Sequence, residues 1–160
     1  MTQQELQELL SYDPTTGIFR WLESRGGKTA GDTAGAKHHT GYIEIGINQR
    51  RYYAHRLAYL YMMGEMPNSE MDHINKIGDD NRWSNLRQAS RSQNNANRNK
   101  PRNNKSGYRG VCWHKRHKKW LARIGYGGKK IYLGYYDTPK EAHEAYKIGA
   151  IKYYGEYASV

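Results

Sequence analysis

Residues 71–97, MDHINKIGDDNRWSNLRQASRSQNNAN, set an acidic residue and a histidine side by side at Asp72-His73 and follow them with asparagines at 85 and 94. Asp72-His73 reads as the end of a strand and Gly78-Asp79-Asp80-Asn81 as a turn, with Asn85-Leu86-Arg87 starting the return. Ser90-Arg91-Ser92-Gln93 has the form of a capping box, in which the serine hydroxyl and the glutamine side chain each satisfy an amide of the first helical turn. Asn94 then falls on the first turn of a short helix. A hairpin followed by a helix would bring Asp72, His73, Asn85 and Asn94 to one side.

These residue types suit phosphodiester cleavage. That reaction needs a cation to neutralise charge developing on the phosphate and leaving oxygen, and a base to activate water. A hard cation binds few protein oxygens and keeps water and substrate phosphate as ligands, a role for an Asp carboxylate and an Asn carbonyl. Histidine titrates near neutrality and serves as base, provided that a second residue fixes its proton on the correct nitrogen. Taken singly, an Asp-His pair beside a turn is an ordinary strand end, and asparagine-rich stretches are ordinary loops. The four types at this spacing, between a strand and a capped helix, point to catalysis.

Through Asp72-His73, Asn85-Leu86-Arg87 and Ser92-Gln93-Asn94-Asn95, the segment resembles the HNH endonuclease family, whose fold is the ββα-metal motif. The resemblance implies His73 as general base, Asn85 as the residue that orients it, and Asp72 and Asn94 as ligands of one divalent metal ion. Mg²⁺ is the expected ion, with Mn²⁺ as the alternative. Asn95 and Asn97 stand beside Asn94 as alternatives for the last ligand. The third motif letter is Asn rather than His, as in phage and intron-encoded homing members, which favours a hard metal over zinc. The resemblance covers residues 13–98. His55 is read as structural or backbone-contacting rather than catalytic, and Asp79 and Asp80 as turn residues.

Charge divides the chain. Residues 1–71 carry 7 Lys+Arg against 8 Asp+Glu, residues 72–160 carry 19 against 7, and no acidic residue occurs from Asn81 to Tyr136. Solvated faces intersperse both signs, so an acid-free stretch of this length points to a polyanion, nucleic acid first. The single cysteine, Cys112, excludes an intramolecular disulfide and a Cys-rich zinc cage. No apolar run reaches membrane-spanning length and the N-terminus lacks signal-peptide form, so the chain is read as intracellular and cytoplasmic with no membrane partner. By the same resemblance it is phage-encoded and works in a bacterial host.

Upstream of the motif, Thr2–Glu5 forms another capping box ahead of Leu6, Leu9 and Leu10. Residues 18–22 and 41–48 read as strands, the latter turning at Asn48-Gln49 into 50–53, and 54–63 has a helical apolar period. Residues 94–106, rich in Asn, Lys and Arg, read as a linker that tracks a DNA backbone. Strands are expected at 108–113, 119–126 and 129–133, followed by a helix opened by Thr138-Pro139-Lys140-Glu141. Tyr108-Arg109-Gly110-Val111, Trp120–Ile124, Leu133-Gly134, Asp137-Thr138 and Glu141-Ala142 with Ala145-Tyr146 resemble, in order, an AP2 domain, the module of plant regulators that also occurs fused to phage HNH nucleases. That family lays its three-stranded sheet in the DNA major groove. The resemblance covers 106–158, and Arg123 stands where plant members often have glutamate, so no sequence preference carries over.

The expected architecture is α+β: a small N-terminal antiparallel sheet with a helix, a ββα-metal motif, and a C-terminal AP2-like three-stranded sheet packed on one helix. Its expected boundaries are 1–98 (motif at 66–98), a basic linker at 99–106, and 107–160. Double-stranded DNA is the expected partner. Arg87, Arg91, Arg98, Lys100, Arg102, Lys105, Arg109, Trp113, Lys115, Arg116, Lys119, Trp120, Arg123 and Lys130 are the expected contacts, with core packing as the competing reading for each tryptophan. The expected function is a sequence-directed, divalent-metal-dependent DNA endonuclease. The alternative is a non-catalytic AP2-type DNA-binding regulator that keeps a degenerate HNH fold.

Overall fold

Three of the helices begin where local chemistry says they should. In the computed structural model, which describes residues 1–98 and 104–159, the Thr2, Ser90 and Thr138 hydroxyls each accept the amide of the third helical residue, and the caps' own amides donate to that residue's side chain. These boxes open α1 (Gln3–Leu9), α3 (Arg91–Asn97) and α4 (Pro139–Tyr154), the last with proline at its first position. The intervening α2 (Ala54–Met63) has no side-chain cap and stops at Gly64, whose φ of 84° is the left-handed conformation that terminates helices.

The described chain is α+β and divides into two compact units, Met1–Gln88 and Ala89–Val160. In the first unit β1 (Leu10–Asp13) pairs antiparallel with β2 (Ile18–Trp21), and β3 (Ala36–Lys37), β4 (Ile43–Ile47) and β5 (Arg50–Tyr53) form a second antiparallel sheet. Asn48 and Gln49 take positive φ of 49° and 62°, the two-residue turn that matches the twist of a hairpin. Leu6, Leu10, Phe19, Ile45, Leu57 and Leu60 make one core between α1, α2 and the two sheets. A third pair, β6 (Glu70–His73) and β7 (Leu86–Ala89), is a hairpin: Ser69 bonds Gln88 at one end, and the Ile74 amide bonds the Asn85 carbonyl at the other.

In the second unit β8 (Val111–His114), β9 (Lys119–Tyr126) and β10 (Lys129–Tyr136) form an antiparallel sheet in the order β10-β9-β8, with α4 packed across one face. The first strand starts at Val111 rather than Tyr108. The Ser106 hydroxyl ties the Tyr108 and Val111 carbonyls into a turn, and Gly110 sits at φ 72° where a Cβ would fall 1.9 Å from the Tyr146 ring. The last strand runs past Leu133 to Tyr136 through an irregularity between Tyr132 and Gly134. Residues 94–97, expected as linker, are helical. The division by contacts falls at Gln88/Ala89 rather than after Arg98, because Ala96 of α3 shares a core with Ile124, Tyr146, Ala150 and Tyr154. Among the described residues no helix is long and apolar enough to cross a membrane.

Candidate active site

Asp72 and His73 close β6 and are buried, at 4% and 5% exposure. A carboxylate without compensation at such a position would be costly. Compensation comes from Arg87 on β7, whose Nε donates to Asp72 Oδ2 at 2.9 Å. Arg87, expected on DNA, is thus a half-buried partner of the acidic residue.

Asn85 holds the loop between the strands instead of the histidine ring. Its Nδ2 donates to Asn75 Oδ1 at 3.0 Å and to the Asp80 carbonyl at 2.8 Å, and its Oδ1 accepts the Asn75 amide at 2.9 Å. The expected Asn85–His73 bond is therefore replaced. His73 Nε2 lies 3.3 Å from Oδ1 of Asn81, a residue read from sequence only as part of a turn. Asn81 is 2% exposed; its carbonyl accepts the Tyr12 hydroxyl at 2.7 Å, and its Nδ2 donates to the Asp79 carbonyl at 3.3 Å. Gly17, at φ 75°, makes room for this backbone: a Cβ there would fall 2.4 Å from Arg82 N and Asn81 C. The signal that could have found Asn81 is its position one residue before Arg82, after two aspartates that already complete the turn.

An amide oxygen only accepts, so His73 Nε2 carries the hydrogen and Nδ1 keeps its lone pair. Burial lowers the His73 pKa below the ordinary histidine value; the Asn81 bond and the charges of Asp72, Asp80 and Asp79 oppose this without overcoming it. The ring is neutral at neutral pH, the form a base requires. His55, at the start of α2, meets His73 edge-to-face at 5.1 Å between centroids and stacks on Tyr53 at 5.5 Å. Burial, reinforced by the charges of His73 and Arg56, pushes its pKa down to about 3, and its buried Nδ1 has no hydrogen-bond partner. Asp80 is held at about 2, first by Arg82, and Asp79 below its usual value, first by Lys37. Both shape the loop, as their sequence positions suggest.

Asn94 lies in the first turn of α3, its amide closing onto the Ser90 carbonyl, and so belongs to the second unit. No cluster of three His, Cys, Asp or Glu side chains suited to a metal occurs among the described residues. One carboxylate with amide oxygens is a donor set for a hard, largely hydrated cation rather than for zinc.

The second unit sorts the expected DNA contacts by face, because cross-strand partners share a side of the sheet. Trp120 packs with Val111, Ala122 and Ala142 on the helix side, and its partner Trp113 lies on that side too, edge-on at 5.2 Å. Both tryptophans therefore stand away from the open face. That face carries Arg123 opposite Tyr132, Leu121 opposite Cys112 and Tyr135, and His114 opposite Lys119. Rings of His114, His117 and Tyr135 cluster there at 4.5–5.1 Å, and Tyr132 is 63% exposed. Of these four, Tyr132 and Tyr135 escape the sequence pattern because the irregularity between Tyr132 and Gly134 shifts the alternation of β10.

Lys119 pairs with Asp137 at 3.0 Å. Arg109 donates to the Asn95 carbonyl at 2.7 Å and to the Arg98 carbonyl, so its guanidinium caps the end of α3 rather than standing free. Lys105, Lys115, Arg116, Arg123, Lys130, Arg91 and Arg98 are exposed, while Lys100 and Arg102 lie outside the described residues.

Comparison with known proteins finds two separate matches, the first of which runs past the Gln88/Ala89 division into α3. Residues 52–96 match the family model described as HNH endonuclease, and residues 106–156 match the AP2 domain. The AP2-like ethylene-responsive transcription factor AIL5 of Arabidopsis thaliana is 54% identical over 50 residues, 30% of this chain and 9% of its own length. The factor ANT of the same plant is 51% identical over 53 residues, and the ethylene-responsive transcription factor WRI1 is 49% identical over 55, covering 10% and 13% of their lengths. The chain thus spans about a tenth of the plant proteins it matches. A solved structure of the HNH homing endonuclease I-HmuI aligns over 91% of this chain and 85% of its own at 18% identity and a TM-score of 0.46. The chain is thus similar to HNH endonucleases over residues 52–96 and to AP2 domains over residues 106–156.

Proposed function

We propose that this chain is a divalent-metal-dependent DNA endonuclease that hydrolyses phosphodiester bonds and is directed to its site by its AP2 domain. The observation that carries the reading is His73: buried beside Asp72, neutral, and with its Nε2 hydrogen directed at Asn81 Oδ1, which makes Nδ1 the basic nitrogen of the ring. A non-catalytic DNA-binding protein has no use for a buried imidazole with its tautomer fixed next to a buried carboxylate. The HNH match over these residues supports the same reading.

In this mechanism His73 Nδ1 takes a proton from water as the water attacks phosphorus and the bond to the leaving oxygen breaks, while Nε2 keeps its hydrogen and donates it to Asn81 Oδ1. The resulting imidazolium is stabilised by the neighbouring Asp72 charge. Arg87 fixes the carboxylate, and Asn85 fixes the loop on which Asn81 is carried. Asp72 and, by resemblance, Asn94 would hold one Mg²⁺ or Mn²⁺, which when bound supplies positive charge to the phosphate and the leaving oxygen. The open face of the AP2 sheet, with Arg123, Tyr132 and the His114, His117 and Tyr135 rings, is the surface assigned to base contacts in the duplex.

The test is conversion of supercoiled plasmid carrying candidate host or phage sequences, in Mg²⁺, in Mn²⁺ and in EDTA. Nicked or linear product is expected with either metal, and loss of product in EDTA and at least about a 100-fold drop in the His73→Ala variant. Tight duplex binding with no cleavage in either metal would replace the nuclease by the regulator reading.

A further inference from the structure

Within the second unit, α3, the residues ahead of β8, the free end of β9 and the Gly127-Gly128 turn surround a cleft of about 760 Å³. Arg91, Arg98, Arg123, Lys129 and Lys130 line it, and no acidic residue does. Among the described residues none of these five side chains has an ion pair or hydrogen bond. A sixth cation of the lining, Arg109, is already committed to the α3 carbonyls. Unpaired like charges gathered at one cleft repel each other by on the order of 1 kcal/mol per close pair. An ordinary solvated surface avoids this by mixing signs. A bound anion turns that repulsion into attraction.

The spacing separates an extended anion from a small one. Arg91 and Arg98 stand at the two ends of α3, seven residues apart, or about 10 Å along a helix. A single phosphate is too short to engage both, whereas a run of phosphodiesters is not. The cleft also draws Lys129 and Lys130 from the hairpin turn, at the far end of the sheet from the His114, His117 and Tyr135 rings, and meets the open face at Arg123.

We propose that this cleft is a backbone clamp: it grips successive phosphates of duplex DNA and sets affinity without reading sequence. The proposal rests on the reading of this chain as a DNA-binding protein and adds a second contact surface to it. It is tested on the full chain by fluorescence anisotropy with random-sequence duplexes of several compositions, over salt from about 50 to 200 mM. The variants are Lys129→Ala/Lys130→Ala and Arg91→Ala/Arg98→Ala, with Lys140→Ala on α4 as the reference cation.

Each double variant is expected to weaken binding at least about fivefold at low salt, equally on every duplex, and to flatten the log–log salt slope by about one per lost phosphate contact. Slopes equal to that of Lys140→Ala would overturn the clamp while leaving DNA binding intact. So would a loss confined to particular sequences, or displacement of duplex by inorganic phosphate far beyond what chloride achieves at equal ionic strength, which marks a single-anion site. Wild-type protein that binds no duplex at any salt would instead remove the reading on which the clamp stands.

Discussion

At His73 the position of one proton matters, because Nδ1 can accept from water only while Nε2 keeps its own hydrogen. Asn81 is the group that enforces this, and Tyr12 and the space at Gly17 hold Asn81 in place. The bond to Asn81 favours the charged ring, so removing it lowers the His73 pKa further and leaves the imidazole neutral at pH 7. Any activity lost in Asn81→Ala is then a loss of ring orientation and not of base strength. We expect kcat at saturating DNA to fall about 10–100-fold with KM little changed. Single-turnover kinetics would read this, and an unaltered kcat would leave Asn81 as a merely structural residue.

His55 shows the same burial acting on stability. Its pKa is about 3 in the folded chain against about 6.5 when unfolded. Between those values the unfolded chain binds the extra proton. His55 therefore contributes fully above pH 6.5, and that contribution is lost as pH falls towards 3, by on the order of 3–5 kcal/mol at most. Urea titrations at stepped pH should show the Phe variant, His55→Phe, losing a large part of this acid sensitivity. A pH slope indistinguishable from wild type would mean that the ring is not held neutral at this position.

At the scale of elements, what could be read in advance was what local chemistry controls. Thr2, Ser90 and Thr138 opened helices as expected because a capping box closes within four residues. The same locality put α2 at Ala54–Met63 and the positive-φ turn at Asn48-Gln49. What could not be read depends on partners distant in sequence. Val111 rather than Tyr108 starts β8 because Ser106 and Tyr146 claim the residues before it. Alternation in β9 and β8 shows that Trp120 and Trp113 share a side, but only α4 tells which side is covered. Within the motif, spacing brought Asp72, His73 and Asn85 to one hairpin, yet it could not say that Asn85 would bond Asn75 and Asp80 while Asn81 took the ring. Arg87 and Arg109 look like phosphate contacts in a basic sequence; the folded chain uses one on Asp72 and the other on α3.

For the molecule as a whole, charge and chemistry lie in different units. Residues 1–88 carry 10 Lys+Arg and 11 Asp+Glu, and residues 89–160 carry 16 and 4, so the unit that holds the AP2-like residues is +12 and the other is −1. The buried Asp72-His73 pair belongs to the other. Affinity for a polyanion follows accessible cations, and His73 offers none, being neutral and nearly covered. Binding and cleavage should therefore separate by mutation. His73→Ala is expected to leave the duplex dissociation constant within about twofold of wild type, since it removes no phosphate contact, while abolishing cleavage. Arg123→Ala, on the open face, is expected to weaken binding to the preferred site while leaving kcat at saturating DNA unchanged. Anisotropy and single-turnover cleavage on the same duplex measure the two quantities independently. A His73→Ala protein that lost affinity in proportion to activity would place the binding energy in the first unit, and the division of labour read from the charges would fall.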